Sequence, residues 1–408
     1  MKKEGTVFDG RKNRRSFLKN GMVAAGAMTV GAGLVGNPRA FGREREDNDD
    51  RAPITRGDIA ILTFLSALEQ VEADLWIQYA ELGGPTHQVK TSIGLSPIDL
   101  ILGKQAISTG LAPGYVTALQ TLDTDMPQYI ADNTDDEISH HSFLNNYLQA
   151  KGGQPIDLSK HFAILPASKV TGVDPRPRLT NLKKLSVDTT WWTRYRSDKL
   201  NPDLGDTNFE NAVPDLAKGQ HRAIPLDDTD AALNGDGSIP DRLKAIANTA
   251  GLHFAFVEQG GSSLYPQLAQ RVTNLEVLRV LLSIGPSETM HFQVWHDKAG
   301  NITTGDLDGI NFPDLNSGVD PNGGSGSITE NADLFQTNLI MPEPTAFLNK
   351  RFGPISVIRP TETANAARLA VQSFVDDGLF LNDKDQNTGI VAKLMELAEA
   401  ADDARRDF

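Results

Sequence analysis

The chain has 408 residues, a net charge of −14 and no cysteine. Disulfides, thiolate metal sites and lipid-modified cysteines are therefore excluded. The first 42 residues hold eight Lys and Arg against Glu4 and Asp9, a net +6 that leaves −20 on the rest, and this argues against a nucleic-acid partner.

Asn13-Arg14-Arg15-Ser16-Phe17-Leu18-Lys19 resembles the twin-arginine export motif. A Gly/Ala-rich run from Gly21 to Gly36 follows, too short and too weakly apolar for a stable membrane span, and Ala40-Phe41-Gly42 offers small residues for a cut site. The resemblance implies a signal peptide over residues 1–42, the twin-arginine translocation machinery as a partner, and a periplasmic or extracellular mature protein. Residues 43–54 read as a charged, flexible linker.

Four segments then read as long helices. The first is capped by Thr55 and runs to about Leu82, where Gly83-Gly84-Pro85 stops it. Its apolar stripe includes Ile61, Leu65, Leu68, Leu75 and Trp76, and Glu69 and Glu72 interrupt it. Ile98–Leu102 and Tyr115–Leu122 look like short helices, broken by Gly110 and Pro113-Gly114. The second long helix covers Pro127 to Ala150 and carries Glu137, His140 and His141. Residues 154–238, rich in Pro, Asp, Gly and Asn, read as a loop-rich insertion pinned by Trp191, Trp192 and Phe209.

The third long helix runs from Pro240-Asp241 to about Ala269 and contains Glu258. The fourth, from about Asn274 to Lys298, sets Glu288 and His291 on one face with Val277, Leu281, Ile284 and Trp295. Gly285-Pro286 predicts a kink in it. Gly300 to Glu330 reads as loop. Asn234–Ile239 and Asp306–Gly309 each hold part of a calcium loop and lack its other ligands. Thr363–Phe380 and Thr388–Arg405 are helix candidates in an extension over residues 299–408, able to pack on the main body or to join copies in a homo-oligomer.

The first long helix aligns on the third without gaps. Glu69-Gln70 meets Glu258-Gln259, Leu75-Trp76 meets Leu264-Tyr265, and Gln78 meets Gln267. On the second and fourth, Glu137-x-x-His140 meets Glu288-x-x-His291. Glu and His three apart lie about one turn from each other, and burying them in an apolar seam is costly unless a cation compensates.

This doubled order resembles the ferritin-like superfamily of dinuclear carboxylate proteins, and within it the bacterial ferritin-like family that includes desiccation-related proteins. The resemblance covers residues 55–298 apart from the insertion. It implies a mainly α fold, a ferritin-like four-helix bundle with the insertion between helices 2 and 3 and a C-terminal helical extension. It also implies two divalent ions, iron or manganese, which suit carboxylate and imidazole donors. Glu69 and Glu258 would each bind one metal, Glu137 and Glu288 would bridge, and His140 and His291 would cap one metal each. Gln70 and Gln259 are candidates to hold the imidazoles. Glu72, which falls opposite Gly261 in the repeat, is expected as an extra ligand or the partner of a nearby cation. Such a centre implies redox chemistry on oxygen, peroxide or metal ions, ferroxidase-like or manganese-catalase-like. The alternative is a non-enzymatic desiccation- or stress-related structural protein of the cell envelope, without metal. His87, His161, His221, His253 and His296 are expected on the surface or in loops.

Overall fold

A computed structural model describes residues 54–86, 107–196, 208–315, 345–355, 357, 364–382, 384 and 387–406. The leader at 1–42, all but the last residue of the linker at 43–54, the helix expected at 98–102 and His87 lie outside these residues.

The fold is mainly helical. Thr55 caps α1 (Arg56–Gly83) in a capping box: its hydroxyl accepts from the Asp58 N–H, and the Asp58 carboxylate accepts from the Thr55 N–H. α2 (Pro113–Leu119) starts at the proline expected to break that segment, because a first turn does not use the missing N–H. α3 (Met126–Ala150), the single turn α4 (Ser159–Phe162), α5 (Thr190–Arg196) and α6 (Asp241–Ala269) follow. Asn274 caps α7 (Leu275–Ala299) by accepting from the Glu276 and Val277 N–H groups. None of the described helices is long and apolar enough to cross a membrane.

α7 runs through Gly285-Pro286 as one unbroken helix, with Pro286 in its interior. Pro286 lies on the exposed face beside Leu282, so the Leu282 carbonyl that loses its intrahelical partner is open to water. Gly285 serves the other side. A Cβ there would come within 2.8 Å of the Tyr265 Cβ, so the glycine lets α6 and α7 approach closely.

Residues 300–315, expected as loop, form a hairpin of β1 (Gly305–Leu307) and β2 (Ile310–Phe312). Asp308 and Gly309 both take positive φ, 54° and 80°, as a two-residue hairpin turn requires. The stretch that looked like part of a calcium loop is that turn, and Asp308 pairs with Arg222. A second antiparallel pair joins β3 (Thr345–Ala346) to β4 (Pro354–Ile355).

α1 packs along α3, and α6 along α7. α1 and α3 run antiparallel: Thr134 donates to the Trp76 carbonyl, while Glu69 lies beside the later residues Glu137 and His140. Side chains join the pairs. Trp76 stacks on Trp295 at 5.3 Å and meets Phe254 at 4.9 Å, giving an aromatic layer across three helices.

α1 is buried on nearly every side, and its polar residues are explained by what they fasten. Gln70, Asp74, Gln78 and Glu81 recur at helical spacing and hold residues 156–180. Gln70 bonds the Ile156 carbonyl and the Leu158 N–H, and Asp74 accepts from Leu179 and Thr180. Gln78 donates to the Thr180 hydroxyl, and Glu81 pairs with Arg178 at 2.8 Å. Trp191 and Trp192 are fully buried, against Phe292 and His296 of α7. Phe209 is only half-buried.

The C-terminal helices α8 (Ala366–Asp376) and α9 (Ile390–Asp402) pack on the main body, α8 on α6 and α9 on α1. The Asp402 carboxylate caps α8 by accepting from Ala367 and Arg368 N–H, and Arg271 at the α6–α7 turn donates to the Asp402 carbonyl.

Arg178 and Glu81 are both almost completely buried. Arg178→Met leaves Glu81 as an uncompensated buried charge and should cost about 3–5 kcal/mol in urea unfolding, most of it recovered by adding Glu81→Gln. A single variant as stable as the parent would show that the pair contributes nothing.

Candidate metal centre

The structure brings all six predicted residues together. Glu69, Glu137, His140, Glu258, Glu288 and His291 form one buried cluster between the two helix pairs. One set of ligand atoms comes from Glu69, Glu137, His140 and Glu288, the other from Glu137, Glu258, Glu288 and His291, and within each set the atoms lie within 4.8 Å of one another. Glu137 and Glu288 belong to both sets. Such groups could hold a metal ion.

Both imidazoles aim Nδ1 inward. His140 Nδ1 lies 3.1 Å from Glu288, 3.3 Å from Glu137 and 3.4 Å from Glu69. His291 Nδ1 lies 3.1 Å from Glu137 and 3.2 Å from Glu258. Their outer Nε2 atoms are held from the opposite helix: Ser287 meets His140 at 3.2 Å, and Asp136 meets His291 at 3.0 Å. Each of these partners immediately precedes the Glu of a Glu-x-x-His motif. The arrangement is reciprocal, because each helix braces the other helix's histidine.

The carboxylates are braced the same way. Trp76 and Tyr265 each follow a cluster glutamate by two turns. Trp76 Nε1 donates to Glu258 at 2.9 Å, and the Tyr265 hydroxyl donates to Glu69. Asn133 donates to both Glu137 and Glu258, and is itself oriented by Trp295 Nε1 at 2.7 Å. Gln70 and Gln259 do not hold the imidazoles as expected. Gln70 fastens residues 156–158, while Gln259 bonds Ser263 and Arg194, because side chains adjacent along a helix point apart.

Three oxygens distinguish the site from a closed ionic network. Glu69 Oε2 and both Glu288 oxygens are buried and face no neighbour but the two inward imidazole Nδ1 atoms, with no well-directed hydrogen bond to any of the three. Gly261 makes room for one of these, since a Cβ there would sit 2.6 Å from Glu288 Oε2. Hard, unspent oxygens with two inward imidazole nitrogens are a donor set that fits a divalent cation.

Glu72 is a fifth buried carboxyl beside the cluster. Burial, then the charges of Glu69, Glu137, Glu288 and Glu258, push it well above the ordinary carboxylate range. No nearby Lys or Arg pairs with it among the described residues, so the expected cation partner is not found. His141 lies outside both donor sets, its Nδ1 beside Asn145. His253 and His296, expected on the surface, are buried in α6 and α7. Their sequence neighbours gave no periodic signal separating them from exposed histidines. Burial pushes His253 down to about 3, and it accepts or shares a hydrogen bond with the Tyr79 hydroxyl at 2.8 Å.

No family model, curated protein or solved structure matches this chain.

Without a cation the cluster must keep protons. Burial, then the charge of Glu258, pushes Glu137 up to about 7, although His140 and His291 oppose this by hydrogen bonding. Burial lowers His140, but the charge of Glu69 and bonds to Glu137 and Glu288 outweigh it and raise it. His291 is likewise raised against burial, chiefly by Glu258. Glu69 moves the other way, its burial overcome by His140, and acts only below 4.5. The native state thus holds protons that the unfolded chain releases: on Glu137 between 4.5 and about 7, and on both histidines above 6.5. Stability from these groups is present at low pH and lost as pH rises. The chelated protein should therefore melt at a lower temperature at about pH 8 than at pH 6.5. Added divalent metal, which displaces those protons, should remove or invert the slope. A chelated protein with a flat or rising profile in this window would contradict a proton-holding cluster.

Proposed function

We propose that this chain is an exported ferritin-like protein whose four long helices form a four-helix bundle around a dinuclear iron or manganese centre, with redox activity toward oxygen, peroxide or metal ions. The observation that carries this reading is the pair of four-residue donor sets with Glu137 and Glu288 in common. In the proposed assignment Glu69 and His140 would hold one ion, Glu258 and His291 the other, and Glu137 and Glu288, which belong to both donor sets, would serve the two.

A pair of ions so held would supply one-electron redox chemistry. The chain's own residues do the rest. Ser287 and Asp136 fix the imidazoles with Nδ1 inward, so their neutral form is ready as donor. Trp76 orients Glu258, Tyr265 orients Glu69, and Asn133 orients both Glu137 and Glu258. The aromatic layer of Trp76, Phe254 and Trp295 seals one side of the site against water.

The rival reading is a metal-free structural protein. It needs the buried acids to be neutralised within the protein. Two imidazoles stand against the four cluster glutamates and Glu72, and no Lys or Arg pairs with them among the described residues. Cations satisfy that imbalance directly, and the metal reading is preferred on that account.

Protein purified from iron- or manganese-supplemented cells should carry two ions per chain by elemental analysis, the number the two donor sets imply. Glu258→Ala should lose at least one ion, and chelation should lower the melting temperature of the parent. A parent free of stoichiometric metal would sink the proposal. Export has its own test. Replacing both arginines, Arg14→Lys and Arg15→Lys, should leave the chain in the cytoplasmic fraction of a cell with the twin-arginine machinery. Unchanged export would remove that part of the reading.

A further inference from the structure

A cavity of about 270 Å³ lies between α1, α5, α6 and α8. None of the six cluster residues lines it, so its chemistry stands apart from that of the metal centre. Its mouth is on α8, where Leu369, Gln372, Ser373 and Asp376 are exposed. Its inner wall comes from α1 and α6 and includes the buried Glu72 and Gln267. The volume falls just under the roughly 300–1,000 Å³ of pockets for drug-sized ligands, which leaves room for one small metabolite.

The wall is charged and unbalanced. Glu72, Asp188 and Asp376 stand against the single guanidinium of Arg194. Burial and the cluster glutamates hold the Glu72 carboxyl up, yet the wall is negative whether or not Glu72 keeps its proton.

Its hydrogen bonding is unfinished as well. Among the described residues no hydrogen bond or ion pair reaches the Glu72 carboxyl, and Gln267 Oε1 is a buried acceptor without a donor. Arg194 Nε is a buried donor without an acceptor, while its Nη2 donates to Gln259 at 3.3 Å. Asp188 accepts from Thr190 and Asp376 from Gln372, and each carboxylate can accept more. The remaining polar side chains bond within the wall: Gln259 donates to Ser263, and Ser373 to the Leu369 carbonyl. Leaving buried groups unpaired costs free energy that a packed apolar wall would avoid.

This inventory specifies a ligand. The surplus carboxyls call for ammonium groups, and for more than one, because the acids lie both at the mouth and on the inner wall. The unsatisfied guanidinium nitrogen calls for a carboxylate. Leu68, Phe256 and Leu264 offer a surface to a short aliphatic chain. A bare metal ion would serve the acids and leave both Arg194 and the apolar wall unused.

We propose that this cavity binds a free amino acid with an aliphatic ammonium side chain, the class of lysine and ornithine, with its carboxylate on Arg194 and its ammonium groups on Glu72, Gln267 and the aspartates nearer the mouth. The site does not depend on the dinuclear reading and would outlast its failure.

Isothermal titration calorimetry of L-lysine into the full chain tests it, beside two probes that each lack one feature. Norleucine has no side-chain ammonium, and cadaverine has no carboxylate. Lysine should bind saturably, and each probe should bind about tenfold more weakly. Arg194→Leu should weaken lysine about tenfold and leave cadaverine no weaker, because it removes only the partner of the carboxylate. Asp376→Asn, on the exposed side of α8, should melt like the parent and weaken lysine and cadaverine alike. A Cβ built at Gly260 meets nothing within 4 Å, so Gly260→Phe should fill the cavity and abolish binding in a folded protein. A parent without saturable lysine binding would overturn the site. Norleucine or cadaverine binding as tightly as lysine would overturn the ligand class, and a folded Gly260→Phe protein that binds lysine like the parent would overturn the cavity as its place.

Discussion

The structure depends on one electrostatic constraint: five carboxyl groups share a space from which water is largely excluded. At the effective dielectric of a protein interior, neighbouring like charges repel by several kcal/mol, so such a group survives only with protons, cations or both. The two inward imidazoles meet part of the requirement. The displaced acidities of Glu72, Glu137 and Glu288 show that the remainder falls on bound protons when nothing else is present. The surrounding helices hold this cluster in place. Aromatic rings pack beneath it, a glycine stands where a side chain would strike Glu288, and hydrogen bonds cross between helix pairs.

Those crossing bonds make the halves interdependent. α1 supplies the indole that steadies a glutamate of α6, and α6 returns a phenol to a glutamate of α1. α3 and α7 exchange braces for their histidines in the same manner. Neither hairpin contains a finished site. Order at the centre therefore couples to docking of the pairs, and a fault in either should be felt at both donor sets.

Much of this was legible in the sequence, for identifiable reasons. The long helices carry capping residues, apolar periodicity and glycine stops that agree with one another, so Thr55, Asn274 and the glycines after Ala150 mark their ends well. The doubled Glu and Glu-x-x-His order identified the residues that meet, because equivalent helix positions face a common interior. The same alignment contained the reciprocal pair Trp76 and Tyr265, whose significance required knowing which helices face each other. Other features were beyond periodicity. The roles of Gln70, Asp74 and Glu81 depend on the irregular segment at 156–180, and no helical rule places such a segment. Pro286 breaks no helix because it lies on the wet face, and His253 is buried because α6 is enclosed on almost every side. Both outcomes follow from tertiary surroundings, not from local preference.

The pairing of Glu72 with Gly261 has a consequence for symmetry. Two identical hairpins related by a twofold axis would carry the same residue at both places, so a carboxylate on one side would bring a second onto Glu288. Joining both hairpins in one polypeptide lifts that restriction. One half keeps an additional acid while the other keeps empty space, and the two ends of the cluster become chemically inequivalent. A ligand arriving there meets a centre with a front and a back, a polarity that no homodimer of either half could possess.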